Sequence, residues 1–104
     1  MDISEIRILC EQRKIKWTLH VAKRLLQRSI SSNDVVSTIL TGEVIEDYPD
    51  DYPFPSCLIM GKTTKNRVLH IVCAIGDDNL WIITAYEPNV IEWDKEFKVR
   101  KEQI

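Results

Sequence analysis

The segment "SCLIMGKTTKNRVLHIVCAIGDDNLWIITAY", residues 56–86, decides the fold of this chain. It contains three runs of strand length, residues 56–63, 67–75 and 80–86, whose apolar and β-branched side chains are typical of β-strands. The polar stretches "KTTKN" and "GDDN" between the runs carry turn-forming residues. Short connections of this kind predict an antiparallel meander.

A fourth strand is predicted just upstream of this segment. "EVIEDY", residues 43–48, alternates between apolar and polar side chains, and the prolines of "PDDYPFP", residues 49–55, then end the pattern. This proline-rich stretch is either a binding or catalytic loop, or a stiff connector whose acids repel nucleic acid. The pattern of apolar residues changes at Gly42, from helical spacing before it to strand-like spacing after it.

Three helices are predicted in the first part of the chain. Residues 3–12 and 19–28 repeat apolar side chains at helical spacing, and a third helix is expected between an N-cap at Ser31 or Ser32 and a stop at Gly42. "KIKWT", between the first two helices, is interpreted as a break or an extended connector. In the second helix, four apolar residues are expected to share one side: Val21, Ala22, Leu25 and Leu26.

The order of these elements predicts an α+β domain, in which N-terminal helices pack on one face of a four-stranded antiparallel sheet. A chain of 104 residues suits one such domain, residues 1–104. The tail, residues 89–104, spaces its apolar residues in a helical or irregular way, so we expect either a C-terminal helix or an arm packed on the sheet. Those apolar residues are Val90, Ile91, Trp93 and Phe97.

Composition indicates a globular cytoplasmic protein. The chain is 44% hydrophobic and 29% charged, and no apolar run approaches the roughly 18 residues of a membrane span. Its amphipathic N-terminus lacks the small-residue cleavage site of a signal peptide. Three cysteines cannot all pair, and Cys57 and Cys73 lie in apolar runs, so we expect buried reduced thiols. No motif predicts a metal site or a cofactor.

Charge is distributed unevenly along the sequence. The net charge of −2 argues against a general nucleic-acid binder. However, residues 13–28 contain six basic side chains and no acid, while residues 43–51 contain five acids and no base. Because screening confines such interactions to about a nanometre, a local basic face can still bind a phosphate backbone.

The basic face is best defined on the second helix. His20, Arg24 and Arg28 are spaced at i, i+4 and i+8 and therefore form a row along one side of the helix, with Lys23 beside them. Histidine ionises near neutrality and can transfer protons, and arginine can bind phosphate through two parallel hydrogen bonds. The simpler interpretation is a histidine in a capping or packing role and a solvated charged face.

Five motifs in order resemble the bacterial domain of unknown function 4258 family: "H-x-x-x-R-x-x-x-R-x-I-S", "G-E-V-I-E-x-Y-P", "P-S-C-L-I-M-G", "L-H-I-V" and "I-T-A-Y-x-P". The resemblance covers a core of residues 18–88 and leaves residues 89–104 as an extension. The family is similar to the RelE/ParE-like ribonuclease toxins of toxin–antitoxin modules, which place helices against an antiparallel sheet and cleave RNA without metal. The resemblance therefore implies RNA as substrate and an antitoxin protein as partner, although such toxins are usually basic and this chain is slightly acidic.

Metal-free RNA cleavage needs a base for the 2′-hydroxyl, cations for the phosphate and an acid for the leaving oxygen. We predict a catalytic set and a substrate-binding set, with no metal. The catalytic set is His20, Arg24, His70 and Tyr86, and the substrate-binding set is Lys23, Arg28, Thr84 and Trp17. The alternative for each is structural: His70 as a core histidine, Tyr86 as a strand end and Trp17 as packing.

The register of the last two strands decides whether His70 joins this site. If Ile75 lies opposite Leu80, His70 pairs with Ala85; a slip of one residue places His70 opposite Thr84, and we favour that slip because it gathers polar residues on one face. A non-catalytic protein-interaction module with the same fold is the alternative function, favoured by the overall acidity and by "EDYPDDYP". The oligomeric state, including a homodimer, stays open.

Overall fold

The computed structural model describes residues 1–101. Within this range the chain forms three helices and five strands. In chain order they are α1 (Ile3–Glu11), β1 (Ile15–Trp17), α2 (Leu19–Gln27), α3 (Ser32–Thr41), β2 (Glu43–Tyr48), β3 (Ser56–Lys62), β4 (Val68–Gly76) and β5 (Asn79–Tyr86).

The strands form one sheet in the order β1-β5-β4-β3-β2. The α+β class is confirmed, and β2 to β5 form the expected antiparallel meander. The prediction of four strands was wrong, because the segment expected as a connector forms β1. This strand pairs in parallel with β5, placing Ile15 opposite Leu80 and Trp17 opposite Ile82. A three-residue strand whose partner lies far along the chain leaves no local periodicity to detect.

Side-chain caps fix where the helices begin. Asp2 caps α1, and the Ser31 side chain accepts from the amide of Asp34 while Asp34 accepts from the amide of Ser31. This reciprocal capping box confirms Ser31 as the N-cap and stabilises the first turn of α3.

Helices α1 and α3 cover one face of the sheet. The core between them includes Ile6, Cys10, Val35, Ile39, Ile59 and Ile71.

Helix α2 packs against β5 through a narrow row of side chains. Val21 and Leu25 are buried, as expected, but Ala22 is exposed and Leu26 is 81% exposed. The prediction that all four share a buried side was therefore wrong. A helix that contacts mainly one strand covers only an i, i+4 row, so the next residues along the turn remain in solvent.

The register of β4 against β5 changes partway along the pair. Ile75 lies opposite Leu80 near the turn, but the pairing shifts after Cys73, so His70 lies opposite Tyr86. The favoured pairing of His70 with Thr84 was wrong. The irregularity leaves Ile83 without an opposite residue, and such a bulge moves the register of every later pair by one. Even so, His70 and Tyr86 end on the same face.

The tail forms an irregular arm on the sheet face opposite α1 and α3, in agreement with the arm alternative. Trp93 is 1% exposed and pairs with Arg100 across the arm. The Arg100 guanidinium lies 4.6 Å from the Trp93 ring centre and donates to the Glu46 carboxylate at 2.9 Å. Val90 and Ile91 are exposed, so the aromatic residue anchors the arm. The final residues, 102–104, lie outside the described range.

Candidate substrate site

The start of α2 positions the predicted basic row. The Thr18 hydroxyl accepts from the amide of Val21 at 3.1 Å, so the helix begins at Leu19. This places His20 in the first turn and Arg24 one turn later, both exposed. The buried side chain of Val21 holds the helix against β5, so the row lies beside the last strand.

His20, Arg24 and Arg28 converge with Thr84 on one cavity of about 180 Å³, which we call the basic cavity. Its remaining lining is apolar and comes from Val21, Leu25 and Ile83. Four of the eight predicted site residues therefore lie around one space. His20 and Arg24 lie in α2, and Arg28 is the C-cap of that helix. Thr84 comes from the strand that α2 packs against.

Arg28 is bonded to the last strand. Its Nη1 donates to Thr84 Oγ1 at 3.2 Å and to the Ala85 carbonyl at 2.8 Å, which fixes the end of α2 on β5. Arg24 has a different environment, because its side chain is exposed where it lines the cavity. The cavity thus combines an anchored guanidinium with one that is exposed to solvent.

Arg67 supports the same helix end and was missed by sequence reasoning. Its guanidinium donates to the carbonyls of Ser29 at 2.5 Å and Arg28 at 2.8 Å, and it forms an ion pair with Glu87. These carbonyls end α2, where a cation is favourable. The only sequence signal was a basic residue at the start of the predicted run 67–75, which does not identify a partner so far away.

His70 lies apart from the basic cavity. It is fully buried, with Nε2 2.7 Å from the Phe97 carbonyl and Nδ1 3.4 Å from the Tyr86 hydroxyl. The short contact with a carbonyl makes Nε2 the donor, so Nδ1 accepts from Tyr86. The Trp93 ring meets the imidazole edge-on at 4.4 Å between centres. Burial lowers the pKa of His70, which keeps it neutral under the arm.

The other predicted site residues do not line the basic cavity either. Tyr86 is half-buried with its hydroxyl toward His70, and burial raises its pKa. Trp17 packs its ring against the core from β1. Lys23 is exposed on α2 but lies outside the lining of the cavity. The structure therefore brings together His20, Arg24, Arg28 and Thr84, and leaves the remaining four elsewhere.

A larger cavity of about 620 Å³ adjoins the first, and we call it the aromatic cleft. It shares His20, Val21 and Ile83 with the basic cavity. Its aromatic lining comes from Trp81 on β5 and from Tyr52 and Phe54 in the loop between β2 and β3, and Asp51 and Asp77 also line it. Sequence reasoning assigned no ligand to these aromatic residues, although it left a binding loop at residues 49–55 open.

Three further properties of the described residues concern metal binding, membrane-spanning helices and the cysteines. Among residues 1–101, no group of three or more histidine, cysteine or acidic side chains is arranged to hold a metal ion. No helix in the same range is long and apolar enough to cross a bilayer. The three cysteines are buried thiols, as expected.

Comparison with known proteins identifies a family but no characterised relative. A family model described as "Domain of unknown function (DUF4258)" matches residues 17–87, which is more than half of the chain. No curated protein and no solved structure matches. The resemblance seen in the sequence motifs is therefore confirmed for this family, and the likeness to RelE/ParE-like toxins stays a prediction.

Proposed function

The chain belongs to the DUF4258 family, and we propose that it is an endoribonuclease of the RelE/ParE-like toxin type. The observation that carries the proposal is the convergence of His20, Arg24, Arg28 and Thr84 on the basic cavity. A proton-transferring group beside two guanidinium groups is the arrangement that cleavage of a phosphodiester requires.

In this mechanism the scissile phosphate occupies the basic cavity. The exposed guanidinium of Arg24 binds the non-bridging oxygens, and the anchored Arg28 adds a second positive charge to the cavity. His20 accepts the proton of the 2′-hydroxyl as that oxygen bonds to phosphorus. The bond from phosphorus to the 5′ oxygen then breaks, leaving a 2′,3′-cyclic phosphate. The departing oxygen takes its proton from water, since His70 and Tyr86 are placed elsewhere.

An antitoxin protein fits the outer side of the same helix. Leu19 is 75% exposed and Leu26 is 81% exposed, and their spacing of seven residues places them on one side of α2. A partner covering these side chains would lie within one helix width of His20 and Arg24. Because all three cysteines are free, we place the protein in the reducing cytoplasm.

The second candidate function is a non-catalytic interaction module. It is favoured by the local satisfaction of several predicted site residues: His70 and Tyr86 contact each other, and Arg28 is bonded to β5. On this alternative, the apolar surface of α2 and the acidic net charge are the recognition features, and His20 has no chemical role.

The test is cleavage of an end-labelled single-stranded RNA by the purified protein in the presence of EDTA. We expect products ending in 2′,3′-cyclic phosphate, and no cleavage where the substrate carries 2′-deoxyribose. His20→Ala should reduce the rate by about 10²- to 10⁴-fold, the usual contribution of a general base. Gln27→Ala is the matched control, because it changes another exposed polar side chain of the same helix outside the cavity and keeps the charge of the helix.

Induced expression in a bacterial host gives the cellular counterpart. We expect growth arrest with the wild type and normal growth with His20→Ala/Arg24→Ala at equal soluble level. If pure wild-type protein neither cleaves RNA nor slows growth, the nuclease proposal fails and the interaction module replaces it. Cleavage that persists unchanged in His20→Ala would also contradict the proposed mechanism.

A further inference from the structure

We propose that the aromatic cleft binds an unpaired base of the RNA whose phosphate occupies the basic cavity. This inference rests on the proposed function and specifies its substrate class as single-stranded RNA. The two cavities share His20, Val21 and Ile83, so one nucleotide can reach both. We assign the phosphate to the basic cavity because two arginines line it, and the base to the aromatic cleft because three aromatic rings line that cleft.

Two of the three rings form a fixed wall. Trp81 Nε1 donates to the Gly76 carbonyl at 2.9 Å, which holds the indole, and both Trp81 and Phe54 are half-buried. The Phe54 ring lies directly on Gly76. The contact is so close that a Cβ at residue 76 would overlap the ring. A rigid aromatic surface loses little conformational entropy when a ligand covers it, so its packing energy is retained in binding.

The third ring is available to a ligand. Tyr52 lines the aromatic cleft yet is 95% exposed, so almost none of its surface is covered by the protein. Aromatic side chains in this position stack on bases of any sequence, because every base has a π-face. Stacking requires the base to leave a duplex, which is why the substrate is single-stranded.

Charge sets the orientation of the nucleotide. Asp51 and Asp77 line the aromatic cleft and repel phosphate, whereas Arg24 and Arg28 line the basic cavity and attract it. The Asp51 carboxylate accepts a hydrogen bond from the buried Ser56 hydroxyl, which orients it. Carboxylates of this kind accept hydrogen bonds from exocyclic amino groups of bases. The cleft volume of about 620 Å³ also lies within the range of small-molecule sites.

The test measures the binding of two fluorescent oligonucleotides by anisotropy. Both carry 2′-O-methyl groups, so they cannot be cleaved, and one of them has abasic sugars throughout. Tyr52→Ala should weaken binding of the base-bearing strand by on the order of 10- to 100-fold and leave binding of the abasic strand unchanged. Tyr52→Phe should bind as the wild type does. Ile91→Ala, another exposed apolar side chain but outside the cleft lining, is the control.

Arg24→Ala separates this inference from the proposed function on which it rests. It should weaken binding of both strands, because both carry phosphates. If Arg24→Ala weakens both while Tyr52→Ala changes neither, the base subsite is wrong and the nuclease proposal stands; the aromatic cleft would then belong to a protein partner. If Arg24→Ala weakens neither strand, the basic cavity does not bind phosphate, and both proposals fall.

Discussion

Replacing Arg28, the C-cap of α2, should destabilise the fold, whereas replacing Arg24 within α2 should leave stability nearly unchanged. Arg28 is half-buried and donates to Thr84 Oγ1 and the Ala85 carbonyl from one nitrogen. A hydrogen bond from a charged donor contributes about 1.5–3 kcal/mol, and sharing one nitrogen reduces the second bond, so Arg28→Ala should lower the free energy of unfolding by about 2 kcal/mol. Arg24 is exposed, and Arg24→Ala should change the free energy of unfolding by less than about 0.5 kcal/mol.

Urea denaturation followed by circular dichroism gives both free energies, with an unchanged denaturant slope as evidence of the same folded state. At this chain length 2 kcal/mol corresponds to a fall in Tm of roughly 8–16 °C. Arg28→Lys keeps the charge but loses the forked geometry, and should recover less than half of the loss. Equal destabilisation by Arg24→Ala and Arg28→Ala would refute the assignment of one arginine to the fold and the other to the ligand.

Three further predictions concern the arm and the cleft wall. Because burial lowers the pKa of His70, the unfolded chain binds more protons than the folded chain as the pH falls. The free energy of unfolding should therefore decrease as the pH drops below about 6.5. When this free energy is measured from pH 5 to 8, the decrease should be absent in His70→Phe. Trp93→Ala should lower the free energy of unfolding by about 3–5 kcal/mol, since the ring is 1% exposed. The pH dependence of that free energy should also become weaker, because His70 becomes solvated. Gly76→Ala forces Phe54 off the cleft wall, so thermal denaturation should show a loss of about 1–3 kcal/mol, and a normal Tm would contradict the contact.

The sequence predicted those parts of the fold whose cause is local. Alternation and turn residues located β2 to β5, and the serine at residue 31 marked the start of α3, because strand pleat and helix caps act over a few residues. It did not predict β1, which exists only because β5 offers an edge to it. It also did not predict the bulge at Ile83, because an inserted residue changes pairing without changing the pattern of either strand.

The candidate site was predictable to the extent that it lies on one helix. The spacing of His20, Arg24 and Arg28 depends only on helical periodicity, and the structure places all three around one cavity. The position of His70 depended on strand register and on an arm from the end of the chain, neither of which a local pattern encodes. The aromatic cleft combines a loop and a strand that are distant in sequence. The sequence shows each aromatic residue, but it does not indicate that these residues line one cleft.

The docking of α2 on β5 determines when the basic cavity comes into existence during synthesis. The basic helix leaves the ribosome early, whereas Ile83 and Thr84, which close the cavity, and Ala85, which anchors Arg28, follow all the other strands. A nascent chain, or a truncated product ending before residue 83, carries the basic row without its opposite wall. Under the proposed nuclease function, we expect incomplete copies to be inactive and the messenger RNA under translation to be spared.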